Sequence, residues 1–288
     1  MSELSDVTFD VICVTYNCDE PNKLETKIRK MFSYARLDIR VLKLVDTSRD
    51  FHIGHECISQ QKINDYFEFT GYHYGLKWIL NCSDFGGGRR NIVFINDTLF
   101  NSHVYLYSVF QLANIKRFLL KLSSPRQSFI TGHSQNKFHG PVVPTCLFCI
   151  SGYKSELNKF SLFPLSLHDN SGEMIESSRL DIADIFVKDS SLFEAHIDAW
   201  LRPKAFFKGW YKLDYYNGIS DSDFRRKKIA IFLEHSLLYN NEVFLFHDLK
   251  APWLYFLSKI DRLYQNIIKV CLRGSLFVKK NINKVDVS

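Results

Sequence analysis

Polar side chains stand directly after each of three apolar runs, where the chain would leave a strand for a loop. They are Thr15, Tyr16 and Asn17 after the first run, Asp46 after the second, and Asn96 and Asp97 after the third. Ligands of open α/β sheets bind beyond the carboxyl ends of the strands. Hydroxyl, amide and carboxylate groups that meet at one such edge can bind a polar ligand together. The spacing therefore predicts a polar ligand site, provided that the three runs form one parallel sheet.

The elements that would position these side chains follow from the apolar periodicity. Residues 9–15, 38–45 and 92–95 are short apolar runs of the kind found in buried strands. Residues 19–34 and 69–80 place apolar side chains at helical spacing between those runs. Strand, helix, strand, helix and strand in this order are typical of a parallel sheet with covered faces. The first third of the sequence is therefore predicted to be α/β.

The remainder of the chain is predicted in coarser terms. Helices are expected over residues 104–122, 224–239 and 251–273. Residues 128–150 mix short apolar runs with glycine and proline, which predicts strands and loops. The polar residues 162–189 are expected to form a surface excursion.

The seven cysteines predict free thiols, because their number is odd and they are scattered over 288 residues. Cys146 and Cys149 have C-x-x-C spacing, but no second pair stands at the spacing of a zinc ribbon. Their apolar neighbours Leu147, Phe148 and Ile150 predict a buried strand there in place of a metal or redox site.

Composition indicates a folded, cytoplasmic protein. Hydrophobic residues make up 46% of the chain and charged residues 24%, which is too apolar for disorder. The first ten residues lack the basic and apolar regions of a secretory signal. No uninterrupted run of eighteen apolar residues occurs, so no membrane-spanning helix is expected.

Four segments, taken in order, resemble a known family. They are VICVTYN from residue 11, VDTS from residue 45, TGYHYGL from residue 70 and NIVFINDT from residue 91. Together they resemble the donor-binding half of an inverting, family-two GT-A glycosyltransferase, and especially the rhamnosyltransferase-type enzymes of bacterial O-antigen and capsule synthesis.

The resemblance implies an α/β fold with a mostly parallel, Rossmann-like central sheet flanked by helices. Residues 1–248 would form the glycosyltransferase domain, with the nucleotide-sugar half at about 1–125 and the acceptor half at about 126–248. Residues 249–288 would form a basic, amphipathic helical tail.

The resemblance also implies how the nucleotide of the donor is held. The loop side chains Thr15, Tyr16 and Asn17, with Asp46 after the second strand, would bind its base and ribose. For Asp46 an alternative remains open, because an aspartate two residues before Ser48 can also cap a turn.

Two further segments would bind the diphosphate of the donor. Gly71 and Gly75 would let the backbone at the head of a helix approach the anion, although glycines that pack a helix on a sheet would look the same. Asn96 and Asp97 stand where the family has its D-x-D motif. Asp97 is then the expected ligand of a divalent cation, Mg²⁺ or Mn²⁺, and Asn96 replaces the first carboxylate. The alternative that Asn96 and Asp97 form a simple turn remains open.

The inverting reaction needs a general base that takes the proton from the acceptor hydroxyl. Glu234 matches the family's acidic motif best, although His235 stands in place of the second carboxylate of that motif. Asp198 is the competing candidate. Together with His196 and Trp200, after a predicted strand, it would suit an acceptor pocket in which an aromatic ring stacks on a sugar.

The tail concentrates the positive charge of the chain. Residues 250–284 carry eight basic residues against one acidic residue, while the whole chain has a net charge of +6. Apolar residues in 257–271 recur at helical spacing, with basic residues opposite. The tail could pack on the domain or dock on an anionic membrane surface, where each basic residue contributes about 1 kcal/mol. Nucleic acid is not an expected partner, because the basic residues do not line a groove.

The function expected from the resemblance is transfer of a sugar from a nucleotide-diphosphate donor to a glycan. The acceptor would be lipid-linked, and the enzyme would lie on the inner face of a bacterial plasma membrane. Two alternatives remain open at this point. One is an inactive, glycosyltransferase-like scaffold subunit of a polysaccharide assembly complex, and the other is a sugar nucleotidyltransferase.

Overall fold

The structure is a computed structural model of the chain. It describes residues 8–15, 21–33, 37–47, 50–53, 68–81, 88–96, 99, 127–137, 140–163, 190–201, 220–249 and 260. The helix predicted over 104–122 lies outside the described residues. So do all but two residues of the stretch 162–189 and all of the predicted tail helix except Ile260.

The described strands and helices alternate in the first third of the chain and are less regular after it. The strands are β1 (Thr8–Thr15), β2 (Asp38–Thr47), β3 (Asp50–Ile53), β4 (Arg90–Asn96), β5 (Phe129–Gly132), β6 (Gln135–Lys137), β7 (Gly140–Val142), β8 (Leu147–Gly152) and β9 (Leu245–Asp248). The helices are α1 (Pro21–Ser33), α2 (Glu68–Asn81), α3 (Lys154–Leu157), α4 (Ser190–Leu201) and α5 (Asp221–Ser236).

Seven strands form one mixed sheet in the order β3-β2-β1-β4-β8-β5-β9, and β6 pairs with β7 separately. β1 pairs in parallel with β2 on one side and with β4 on the other. β8 runs antiparallel to both β4 and β5, and β3 runs antiparallel to β2. Because β9 is parallel to β5, five of the seven strands run in one direction. The predicted α/β class and the parallel arrangement of the first three predicted strands are confirmed.

Each face of the sheet is covered by its own hydrophobic cluster. Ile12 and Val14 point to the face that packs against α2, α4 and α5, whereas Val11 and Cys13 point to the face that packs against α1. Side chains alternate between the two faces along a strand, so a strand buried on both faces must be apolar at nearly every position. This is why the central strands are continuous apolar runs.

A buried carboxylate in the central strand is paired from both neighbouring strands. Asp10 of β1 accepts a hydrogen bond from Arg40 Nε of β2 at 2.8 Å, and Arg90 Nη1 of β4 lies 3.8 Å from its other oxygen. An unpaired buried charge would be strongly destabilising. The two arginines therefore allow Asp10 to lie inside the sheet.

Two sequence predictions about local structure are wrong. Asp46 does not follow the second strand but lies within β2, opposite Phe51 of β3 in an antiparallel hairpin. The apolar run ends before Asp46, but backbone pairing continues to Thr47 because it does not require apolar side chains. His196, Asp198 and Trp200 do not follow a strand either, because they lie on α4.

A candidate ligand site at the carboxyl edge of the sheet

The chain reverses its order in the sheet at β1. It passes from β1 to β2 on one side and later returns to β4 on the other side. Such a reversal opens a crevice beyond the carboxyl ends of the two strands, and ligands of open α/β sheets bind there. Thr15 is the last residue of β1 and Asn96 is the last residue of β4. Their strands are adjacent, with Val14 in register with Asn96.

Both of these terminal residues have a buried polar atom for which the described part of the chain supplies no hydrogen-bond partner. Thr15 is 2% exposed and Asn96 is 3% exposed, and no described residue bonds to Thr15 Oγ1 or to Asn96 Oδ1. A buried polar group left unpaired costs about 1–3 kcal/mol, and such groups are rare enough to need an explanation. Thr15 continues the Val11 and Cys13 face of β1, whereas Asn96 is paired with Val14 on the opposite face. A polar ligand that supplies both missing partners would therefore lie across the ends of the two strands.

The turn before β8 reaches the same edge. β8 runs antiparallel to β4, so it begins where β4 ends. The backbone N–H of Asn96 donates to the carbonyl oxygen of Cys146 at 3.4 Å, and the N–H of Leu147 donates to Pro144 at the same distance. The turn of residues 144–146 is thereby placed beside the candidate site.

Thr145, in the middle of this turn, binds two carboxylates and a tyrosine. Its backbone N–H donates to Glu234 Oε1 at 3.1 Å, and its hydroxyl donates to Glu68 Oε1 at 2.9 Å. Its carbonyl oxygen accepts a hydrogen bond from the Tyr72 hydroxyl at 2.7 Å. The turn therefore draws α5, through Glu234, and the first turn of α2, through Glu68, to the edge of the sheet.

Aromatic packing fixes α2 on the sheet below this turn. The Tyr72 ring meets Phe94 and Phe148 edge to face at centroid distances of 5.2 and 6.0 Å, and Phe94 stacks on Phe148 at 4.4 Å. Each such pair contributes about 0.5–1.5 kcal/mol beyond the area that it buries. Tyr72 thus has a ring in the core and a hydroxyl at the candidate site.

Gly71 has a packing role in the same helix. A Cβ atom at this position would lie 2.6 Å from Val14 Cγ2 of β1. The close approach of α2 to β1 therefore requires glycine there, and the site does not need to be invoked to explain it. Gly75 is buried one turn further along α2, away from the helix N-terminus.

Burial controls the chemistry of the two cysteines near the site. Desolvation raises the pKa of the Cys146 thiol far above its ordinary value, and the nearby carboxylates of Glu234 and Glu68 raise it further. Desolvation alone does the same to the pKa of Cys149. A nucleophilic cysteine must be a thiolate, so neither residue is suited to nucleophilic chemistry at neutral pH. Both are buried free thiols, as the sequence predicted.

The competing base candidate lies in an ion-pair cluster between α4 and α5. Lys228 Nζ, which is buried, lies 2.8 Å from Asp198 Oδ1, in a geometry too poorly aligned for a hydrogen bond. The same ammonium group donates to Glu194 Oε1 at 2.5 Å. Lys228 precedes Glu234 by six residues, or about 9 Å along a helix. Asp198 therefore pairs with a part of α5 that lies about 9 Å from Glu234 along the helix.

The structure describes only some of the remaining predicted site residues. His196 is exposed on α4, and Trp200 lies four residues further along that helix. Tyr16, Asn17 and Asp97 lie outside the described residues. Within the described part of the chain, no group of three or more His, Cys, Asp or Glu side chains could hold a metal ion.

Two residues of this site were missed by the sequence analysis. Glu68 could have been found, because it precedes the predicted helix 69–80 by one residue, and a helix that leads into a parallel strand begins at the carboxyl edge. Thr145 had no such signal. Its partners Glu68 and Glu234 are 77 and 89 residues away in sequence.

The fold and the edge define an α/β protein with a candidate ligand crevice at a reversal of strand order. Comparisons with protein-family models, with curated proteins and with solved structures found no match. Of the helices that the structure describes, none is both long and apolar enough to cross a membrane.

Proposed function

We propose that the protein is an inverting GT-A glycosyltransferase. It transfers a sugar from a nucleotide-diphosphate donor to a lipid-linked glycan in bacterial surface polysaccharide synthesis. The observation that carries the proposal is the pair of buried, unpartnered polar atoms, Thr15 Oγ1 and Asn96 Oδ1, at the carboxyl ends of β1 and β4. Both belong to segments on which the family resemblance rests.

In this proposal Glu234 is the general base. Its carboxylate takes the proton from the acceptor hydroxyl while that oxygen bonds to the anomeric carbon of the donor sugar. The bond from the anomeric carbon to the diphosphate oxygen breaks, and the nucleotide diphosphate leaves with the bonding electrons. The Thr145 N–H, 3.1 Å from Glu234 Oε1, orients the carboxylate.

The expected divalent cation fits the chemistry of the described part of the site. The buried amide oxygen of Asn96 has no partner within the described ranges of the chain, and amide and carboxylate oxygens are ligands that Mg²⁺ accepts. Asp97, with Asn96 beside it, would hold the ion. When bound, the ion would neutralise negative charge on the diphosphate of the donor.

The tail is proposed to hold the enzyme on the inner face of the plasma membrane. Residues 250–284 carry eight basic residues against one acidic residue, and basic residues are attracted to anionic lipid surfaces. Ile260, the one described residue of the predicted helix 251–273, is helical and 48% exposed. An exposed apolar side chain next to basic residues suits the boundary between head groups and acyl chains.

The proposal is tested by the thermal stability of the purified protein with UDP, dTDP, GDP or CMP, each with and without Mn²⁺. A ligand at 100 times its dissociation constant stabilises the native state by about 2.7 kcal/mol. We expect one nucleotide to raise the unfolding midpoint, and the metal-dependent part of the rise to disappear in Asp97→Ala.

The control variant is Glu242→Ala, which removes an exposed carboxylate after α5 and should keep the full response. A shift that is the same in Asp97→Ala as in the wild type would remove Asp97 from the proposal. No shift with any nucleotide would favour the scaffold alternative.

A further inference from the structure

Thr145 links two carboxylates that come from different helices. All three of its polar groups have partners: the N–H binds Glu234, the hydroxyl binds Glu68 and the carbonyl oxygen binds Tyr72. Glu68 is the first residue of α2, whereas Glu234 lies in the last turn of α5. The described contacts thus form a continuous path from α2 through the turn before β8 to α5.

We propose that Glu68 is a positioning residue for Glu234 and that it acts through Thr145. The inference rests on the proposed function, because it assigns to Glu68 a role in the reaction for which Glu234 is the base. Glu68 accepts a hydrogen bond from the Thr145 hydroxyl at 2.9 Å. It fixes the side chain of Thr145, and Thr145 in turn aims its backbone N–H at the carboxylate of Glu234.

The turn restricts the conformation of Thr145, so its side chain and its backbone N–H are coupled. Thr145 is 4% exposed and follows Pro144, whose ring fixes one backbone torsion angle. A β-branched side chain has few alternative rotamers. The hydroxyl and the N–H belong to one residue of this turn, so we expect loss of the bond to Glu68 to release the Thr145 side chain and to shift the N–H that Glu234 accepts from.

The same site contains another polar atom that points to a ligand. Asn96 is buried beside the turn, through its bond to the Cys146 carbonyl, and its Oδ1 has no partner among the residues that the structure describes. Along β4 the side chain of Asn96 falls on the same face as Ile92 and Phe94, which pack against α2 and α5. The carboxylates and the unpartnered amide oxygen therefore belong to the same face of the sheet edge.

The carboxylates of Glu68 and Glu234 both lie close to Cys146. Both Glu234 and Glu68 raise the pKa of the buried Cys146 thiol, so both charges lie close to the residue that follows Thr145. Two negative charges near each other repel. The donors of Thr145 offset this repulsion, which is a physical reason for a residue with two donors at this position.

Paired variants separate a positioning role from a general loss of charge. Glu68→Gln keeps an oxygen that can accept from Thr145, whereas Glu68→Ala removes it. Thr145→Ser keeps the hydroxyl, whereas Thr145→Val removes it and preserves the shape of the side chain. Glu242→Ala is the control for the loss of an exposed carboxylate.

The first measurement is the amide proton resonance of Thr145 in a ¹⁵N NMR spectrum, because a bond to a carboxylate moves that resonance downfield. Glu234→Gln shows where the Thr145 resonance lies when its partner carries no negative charge. We expect the downfield position to be lost in Glu68→Ala and Thr145→Val and retained in Glu68→Gln, Thr145→Ser and the control. An unchanged resonance in Glu68→Ala would overturn the proposal.

The second measurement is turnover of the donor whose nucleotide stabilises the protein. We expect kcat to fall about 100-fold in Glu68→Ala and Thr145→Val, as for a small misplacement of a reacting group, with the donor KM unchanged. Equal losses of kcat in Glu68→Gln and Glu68→Ala would show that the negative charge of Glu68 matters for turnover, and that its hydrogen bond to Thr145 does not. That result would overturn the proposal.

The two measurements also separate this inference from the proposed function. If the wild type turned over no donor, the proposed function would fail. The NMR comparison would then decide alone whether Glu68 controls the contact between Thr145 and Glu234. Thr145→Val guards against a folding defect in Glu68→Ala, because it breaks the same bond with almost no change in volume.

Discussion

The backbone N–H of Asn96 donates to the carbonyl oxygen of Cys146 across 3.4 Å, although the two residues are fifty positions apart. The bond joins the end of β4 to the turn before β8. Because Thr145 lies in that turn, the Asn96 end of the crevice lies beside the carboxylates of Glu68 and Glu234. Residues from the predicted nucleotide-sugar half and from the predicted acceptor half therefore build one edge of one sheet.

The two candidate bases should respond differently to loss of their charge. Glu234→Gln should lower kcat by about 10²–10⁴-fold, the usual contribution of a general base. Asp198→Asn should leave kcat within about twofold of the wild-type value. Its main effect should be a loss of at most about 1 kcal/mol of stability, because its partly exposed carboxylate pairs with Lys228, which retains Glu194.

Turnover of the donor by both variants, together with urea unfolding, decides between these candidates. A large loss of kcat in Asp198→Asn at unchanged stability would make Asp198 the base. It would also assign Glu234 a structural role at the turn of residues 144–146.

Gly71→Ala should destabilise the protein although alanine favours helices. The new Cβ would lie 2.6 Å from Val14 Cγ2 and 3.1 Å from its Cγ1, and overpacking of this kind costs about 1–3 kcal/mol. Helix propensity returns about 1 kcal/mol, so we expect a net loss of up to about 2 kcal/mol in urea unfolding.

Gly88→Ala is the matched control for this substitution. A Cβ at Gly88 would meet nothing within 4 Å, so its stability should change by less than about 0.5 kcal/mol. The double variant Val14→Ala, Gly71→Ala should recover part of the stability, because the contact that clashes is removed. Equal stability of Gly71→Ala and the wild type would mean that α2 does not approach β1 this closely.

Much of the first half of the sheet could be predicted from the sequence, because its buried strands appear as local apolar runs. The buried strands β1 and β4 are apolar on both faces, so their apolar runs show directly in the sequence. The position of Thr15 and Asn96 at the strand ends follows from where those runs stop. The hairpin of β2 and β3 was missed, because polar residues such as Asp46 and Asp50 can pair through their backbones.

The rest of the site depends on contacts that no local pattern encodes. α4 was not predicted, although its buried Ile197 and Leu201 are four residues apart, which is helical spacing. The role of Thr145 arises only when α2 and α5 pack on the same face of the sheet. A threonine in a proline-containing turn has no sequence feature that indicates two carboxylate partners.

Thr15→Val should separate stability from ligand binding. Its hydroxyl is buried and bonds to no residue that the structure describes, so its replacement by a methyl group should stabilise the free protein, by about 1 kcal/mol. If a nucleotide uses this hydroxyl, its binding should weaken about tenfold, which corresponds to about 1.4 kcal/mol. Calorimetry of binding and urea unfolding of the free protein measure the two effects.

Thr131→Val provides the comparison. Thr131 also has a buried hydroxyl without a partner, but it lies inside β5, away from the junction of β1 and β4. It should gain similar stability with no loss of nucleotide affinity. Weaker binding in both variants would mean that the effect is not specific to the crevice.

The buried thiols of Cys146 and Cys149 should make stability fall at alkaline pH. Burial raises the pKa of both thiols in the folded protein, whereas in the unfolded chain they ionise near the ordinary value of 9.0. Above about pH 9 the unfolded state therefore binds fewer protons than the native state, and stability decreases with pH. Each thiol contributes a slope of about −1.4 kcal/mol per pH unit.

The slope is measured by urea unfolding under reducing conditions between pH 8 and pH 10.5. In the variant with both cysteines replaced by alanine, the curve should be flatter by about 2.7 kcal/mol per pH unit, even if its absolute stability is lower. Ser151→Ala, on the same strand, removes a buried hydroxyl that donates to Asn91 at 2.7 Å and should keep the wild-type slope. Parallel curves for the double variant and the wild type would show that the thiols titrate normally in the folded protein. Rapid alkylation of native Cys146 by iodoacetamide at pH 8 would contradict its burial between Glu68 and Glu234.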